Sequence, residues 1–144
     1  MAKFAPDTNV LVDVLRSPDE RAEYQAFLQQ ALPVTFMSAV VGLEVIAGAT
    51  SADHVETLER DLLGPFQRRG RLFGPTPEAC LAVGRVLCLA GRTAPPSRAF
   101  LNDLLIAFSC RERGITLLTR NGDFRRIARL VPGLKVRRPY PDLR

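Results

Sequence analysis

The sequence predicts an α/β fold on a mainly parallel sheet. Short β-branched or aromatic runs alternate with longer helical patterns, and Gly and Pro fall as punctuation between them. The 144 residues are 47% hydrophobic and 24% charged, enough to bury the core of one globular domain, which is expected to span residues 1–144. Strands linked by helices pair in parallel through right-handed crossovers.

In chain order, a short strand through Phe4 ends at Pro6-Asp7, and Asn9–Arg16 reads as the first helix. Ser17-Pro18-Asp19-Glu20 then combines a cap residue, proline at the first helical position and a glutamate at the reciprocal capping position, opening a helix to about Ala31. Pro33–Met37 is a second strand, and Ser38 caps a helix to about Ala49. Ala52–Leu63 is helical and is expected to stop at Gly64-Pro65, with a short strand at Arg71–Phe73. Thr76-Pro77-Glu78 repeats the cap-and-proline signal for a helix reaching Gly91. A rigid basic loop covers 92–98, and Ser97 caps a helix ending at Gly114. Ile115–Thr119 is the clearest buried strand, Asn121 caps a short helix to about Leu130, and Lys135–Arg138 is a last, edge strand.

Several function classes drop out on composition. No apolar run reaches the roughly 20 residues of a membrane span, and the first residues lack a signal peptide's apolar stretch. No membrane role and a cytoplasmic location are expected. Cys80, Cys88 and Cys110 show no CxxC spacing and the single His54 has no cysteine nearby, which argues against zinc. Cys80 and Cys88 read as small core residues. One histidine also weakens any Ser-His-Asp or Cys-His arrangement, so enzymatic chemistry here should use carboxylates.

Four acids stand out. Asp7 sits at the carboxyl end of the first strand, where open α/β sheets bind ligands, although it could simply cap the next helix. Glu44 interrupts a helical stripe of Val40, Val41, Ala47 and Gly48, and Asp103 lies among Phe100, Leu104 and Ala107. A desolvated carboxylate in such surroundings costs several kcal/mol unless a cation or donors compensate it; an arginine partner is the plain alternative. Asp123 follows the strand ending at Thr119, as Asp7 follows the first. All four could meet at the carboxyl edge of the sheet, where oxygen ligands without His or Cys select Mg²⁺ or Mn²⁺. Of the 20 basic residues all but Lys3 and Lys135 are arginine, and with those four acids set aside the balance over the 15 acids rises from +5 to +9. Such a field attracts a polyanion.

Asp7-Thr8-Asn9-Val10-Leu11 after a strand, Glu44 within Ser38–Gly48, Asn102-Asp103-Leu104-Leu105-Ile106-Ala107, and Leu117–Phe124 together resemble the PIN-domain ribonucleases, and more closely the VapC-type toxins of bacterial type II toxin–antitoxin pairs. The ordered set covers the chain from Phe4 to about Tyr140. The resemblance implies a three-layer α/β/α sandwich, a Mg²⁺- or Mn²⁺-dependent endoribonuclease acting on RNA, a homodimer, and inhibition by a small cognate antitoxin. It implies that Asp7, Glu44, Asp103 and Asp123 form the acidic metal site, with Thr8 and Thr119 as hydroxyls near the metal or scissile phosphate and Asn9 supporting the first turn. Asn121 departs from the pattern, since many relatives carry a second acid there. Arg98, Arg120, Arg125 and Arg126 are candidates for flanking phosphates by their nearness in sequence; solvated surface charge is the alternative.

Three rival readings fit part of this pattern. A haloacid-dehalogenase-like phosphatase wants a second acid where Asn9 stands, and a receiver-like signalling module wants a lysine where Arg120 stands. A housekeeping PIN nuclease in RNA processing differs from a toxin only in lacking an antitoxin.

Overall fold

The computed structural model describes residues 2–90 and 97–143. Its elements run β1 (Lys3–Pro6), α1 (Thr8–Arg16), α2 (Pro18–Ala31), β2 (Met37–Ser38), α3 (Ala39–Ala47), α4 (Ala52–Leu58), α5 (Gly64–Gln67), β3 (Leu72–Phe73), α6 (Pro77–Leu89), α7 (Arg98–Glu112), β4 (Ile115–Leu118), α8 (Phe124–Leu130) and β5 (Lys135–Arg137). β4 lies between β1 and β5, with Lys3 opposite Ile115 and Thr116 opposite Lys135, and both pairings are parallel. β2 and β3 form a second parallel pair, joined to the first group by a parallel bridge between Phe4 and Thr35. Helices cover the strands in an α/β/α arrangement.

The order follows from burial. Every residue of β4 and all but the first of β1 are buried, as expected for strands covered on both faces, whereas β5 is exposed throughout and carries Lys135 and Arg137, which suit an edge. Phe4, Leu11, Met37, Phe66, Leu104, Ile106, Ile115, Leu117 and Phe124 fill the interior at 2% exposure or less. Each such side chain contributes about 1.5–3 kcal/mol on burial, and together they outweigh the cost of the few polar groups buried beside them. The chain leaves β1 towards β2 on one side, while β4 pairs with β1 on the other. Ligand sites form at the carboxyl side of such a reversal.

The caps at Ser17, Ser38, Thr76 and Ser97 each accept a backbone N–H of the helix they open. The reciprocal half of the Ser17 cap differs from expectation. The Glu20 carboxylate is drawn to Arg120, and the Ser17 N–H donates instead to the Asp13 carbonyl at 2.9 Å.

Other boundaries moved for identifiable reasons. Only Met37 and Ser38 of the expected second strand lie in a ladder; Leu32–Val34 forms a 3₁₀ turn, with Pro33, which has no N–H to donate, in its opening turn. Gly64-Pro65 does not end the helix before it. A π-helical segment at Glu59–Leu63 widens the ladder so that the Gly64 N–H reaches the Glu59 carbonyl, and α5 continues with Pro65 in its first turn. Gly64 fits because a Cβ there would stand 2.8 Å from the Arg68 guanidinium and 3.2 Å from the Glu59 carbonyl. α6 ends at Leu89, α7 at Glu112, and Asn121 holds a turn ahead of α8 without being its cap. Cys80 and Cys88 are exposed on α6, contrary to their reading as core residues, whereas Cys110 is buried and its thiol is pushed up to about 12, chiefly by desolvation. The basic loop expected at 92–98 lies outside the described residues up to position 96.

Candidate functional site

Two strand ends and two helices bring the singled-out acids to one edge of the sheet. β1 delivers Asp7 and β4 delivers Thr119, held side by side because the Asp7 N–H continues the ladder to the Leu118 carbonyl at 2.8 Å. Asp7 is 3% exposed. One of its oxygens accepts the Thr8 N–H at 2.8 Å, capping α1, and the other accepts the Thr119 hydroxyl at 2.8 Å. The helix-cap role and a place in the acidic site are thus compatible. Burial raises the Asp7 pKa most, with Glu44 adding to the rise, while the bonds from Thr119 and Thr8 oppose it.

Thr119 is the hub of the polar network. Its hydroxyl donates to Asp7 and accepts from the Asn9 amide at 3.2 Å and the Asn121 N–H at 3.0 Å, which uses its full capacity. Asn121 in turn accepts the Asp123 N–H at 3.0 Å and so positions the turn that presents Asp123. On the other side, Thr8 donates its hydroxyl to Glu44 at 2.7 Å, tying α1 to α3. Glu44 therefore has a donor partner in its otherwise apolar helix.

Asp103 projects from α7, which packs against β4, α3 and α8. Its carboxyl is pushed up to about 7, first by desolvation and then by the charges of Asp7, Glu44 and Asp123. Asp103 thus feels the charges of the other three acids, and no arginine forms an ion pair with any of the four among the described residues. The plain alternative for Asp103, a structural arginine partner, is absent from that set.

No three acidic, histidine or cysteine side chains among the described residues stand close enough to form a ready-made metal cage. The donor chemistry nonetheless fits a hard divalent cation: the four acids offer oxygens, they have no basic ion-pair partner among the described residues, and the buried Asn9 Oδ1 has no hydrogen-bond partner. Asp7, Glu44, Asp103 and Asp123 are the residues able to hold such an ion.

The candidate arginines divide. Arg98 is exposed at the start of α7, Arg125 is exposed on α8, and Arg126 lies over the Phe100 ring at 5.5 Å. Arg120 turns elsewhere: it bonds Asp13 at 3.2 Å and Glu20 at 2.9 Å and lies over the Tyr140 ring at 5.9 Å. Asp13 and Glu20 are the structural partners that sequence reasoning missed. Their only local signal was Glu20 itself, which reads equally well as a capping acid.

These features define an α/β/α protein with an acidic, oxygen-only site at the carboxyl edge of a parallel sheet. The PIN domain family model matches residues 4–130, and the chain belongs to that family, whose members are generally nucleases. Its fold is similar to that of VapBC-1 from nontypeable Haemophilus influenzae, with a TM-score of 0.62 and 25% identity over 94% of this chain and 96% of that one. A toxin–antitoxin complex from Klebsiella pneumoniae gives a TM-score of 0.61 and 26% identity over 97% of this chain and 100% of that one. FitAcB from Neisseria gonorrhoeae gives 0.65 and 22%, over 94% and 97%. No curated protein matches the sequence. No helix among the described residues is long and apolar enough to cross a membrane.

Proposed function

We propose that this chain is a Mg²⁺- or Mn²⁺-dependent endoribonuclease, the VapC-type toxin of a toxin–antitoxin pair. The observation that carries the proposal is the position of Asp103, half-buried and facing the charges of three other acids with no basic group paired to any of them among the described residues. Such a site favours a cation strongly. A bound divalent ion would supply Lewis-acid polarisation of the phosphodiester and a more acidic water.

The residues take the following roles. Asp7, Asp103 and Asp123 would hold the ion, and Glu44 would complete the acidic wall while fixed by Thr8. Thr119 holds Asp7 in one orientation through its hydroxyl. One of the acids orients the attacking water and takes its proton. Arg98, Arg125 and Arg126 would hold flanking phosphates, whereas Arg120 is engaged by Asp13 and Glu20 and is left out of that set. Single-stranded or looped RNA suits the site because its backbone is accessible there.

The toxin assignment draws on the toxin–antitoxin complexes among the structural neighbours, two of them at 25% and 26% identity. It carries a small cognate antitoxin with a basic side chain for the acidic pocket, and a homodimer as the assembled form. Purified protein should cleave RNA with Mg²⁺ or Mn²⁺ and stop in EDTA; cleavage that persists in excess EDTA, with contaminating nuclease excluded, would refute the metal-dependent reading. Co-expression of the adjacent small gene should relieve growth inhibition. Cleavage without such relief would assign the chain to RNA processing instead.

A further inference from the structure

We infer that the groove between α8 and β5 is the track along which single-stranded RNA leaves the carboxylate site, its phosphates held by Arg125, Arg137 and Arg138. The inference rests on the nuclease reading above and extends it to residues outside the acidic centre. The groove reaches Thr119, the residue whose hydroxyl bonds Asp7, and its walls carry Arg125 from α8, Arg137 from the end of β5 and Arg138 just beyond it.

Topology places those walls correctly. β5 runs parallel to β4 with Arg137 opposite Leu118, and the Thr119 N–H donates to the Arg137 carbonyl at 3.1 Å. Arg137 and Arg138 therefore emerge at the same sheet edge as Asp7 and Thr119, one strand beyond Thr119 and two beyond Asp7. Arg125, Arg137 and Arg138 are exposed and form no ion pair among the described residues, unlike Arg120, the fourth arginine of the groove, which bridges Asp13 and Glu20. Between the walls, Ala128, Leu134 and Val136 give an apolar lining. Basic walls over an apolar lining suit a chain with phosphates along its edges and unpaired bases between them.

A competing account is that basic residues on β5 merely discourage edge-to-edge pairing. That account covers Lys135 and Arg137. It does not require Arg138 beyond the strand, or a matching arginine on the opposite wall contributed by α8.

Phosphate contacts are independent of base sequence, so the test needs no knowledge of the natural target. Binding of a fluorescein-labelled unstructured RNA oligonucleotide, in EDTA to prevent cleavage, would be followed by anisotropy across a salt series. Removing two phosphate contacts lowers the slope of log affinity against log salt by about 1.4, at roughly 0.7 per phosphate for single strands. Arg137→Gln with Arg138→Gln should show that drop, and Arg85→Gln on α6, outside the groove, should not. With Mn²⁺, the double variant should raise KM far more than it lowers kcat, since the groove holds RNA away from the bond being broken. An unchanged slope and KM in the double variant, in protein that still cleaves RNA, would overturn the groove and leave the nuclease reading standing. A parent protein that neither binds nor cleaves RNA would overturn both.

Discussion

Replacing Asp103 with asparagine should stabilise the metal-free protein at alkaline pH and make little difference in acid. In the folded chain this carboxyl sits at about 7 against an ordinary 3.8. At about 1.4 kcal/mol per pH unit, the full shift corresponds to about 4 kcal/mol, and because the side chain is only half-buried, solvent screening reduces the expected effect to about 1–2 kcal/mol. The sign follows from which state holds the proton. Below about pH 4 Asp103 is protonated in both states and costs nothing; as pH rises towards 7 the unfolded chain releases the proton first, and stability is lost. Asparagine cannot ionise and avoids that loss. In EDTA at pH 8 the variant should therefore melt about 2–8 °C above the parent, and the gap should close by pH 4. Calorimetry or circular dichroism melts at several pH values would measure it. Adding Mn²⁺ should raise the melting temperature of the parent more than that of the variant. If Asp103→Asn lowers the melting temperature at pH 8, the carboxylate is a structural partner of some group and the account of a strained acidic site is wrong.

Two further outcomes follow from the polar network. Thr119→Val removes the hydroxyl that Asp7, Asn9 and the Asn121 N–H all share, so it should cost about 2–3 kcal/mol, about 4–12 °C in melting temperature, whereas Thr119→Ser should stay close to the parent; equal melting of Val and Ser variants would show that the hydroxyl is not the hub. Asn121 supplies an uncharged oxygen where an aspartate would supply a charge, so RNA-free protein should bind one Mn²⁺ tightly and Asn121→Asp should strengthen a second, weaker site. Titration calorimetry showing two equally tight sites in the unmodified chain would contradict this.

Much of the architecture was legible because local and global signals agreed. The buried run Ile115–Leu118 is a strand on composition alone, and its central place in the sheet makes it apolar on both faces. The caps at Ser17, Thr76 and Ser97 were equally plain. Glu44 and Asp103 stand out in the sequence as polar groups in apolar helical surroundings, and the structure sets both within electrostatic reach of Asp7. What sequence could not supply was competition between distant partners. Glu20 fits a capping box, but Arg120 lies a hundred positions away and offers a charge-assisted bond in place of a neutral one. The helix through Gly64-Pro65 was hidden because those residues ordinarily stop a helix, and only the π segment before them allows it to continue. The exposed side of Cys80 and Cys88 was likewise invisible, since an apolar helix does not reveal from its own residues which face its neighbours cover.

The hydrogen bonds from the Asp7 N–H to Leu118 and from the Thr119 N–H to Arg137 make the reactive edge the last rungs of the central ladder. The Asp7 amide proton, bonded to the buried strand β4, should exchange with solvent more slowly than the Thr119 amide proton, whose acceptor lies on the exposed edge strand β5. Detachment of β5 opens the groove and releases the Thr119 N–H from Arg137 while Asp7 stays in its ladder with β4. On the nuclease reading proposed above, Asp7 is thereby held apart from the motions that would let a long, flexible polymer find its way in and out.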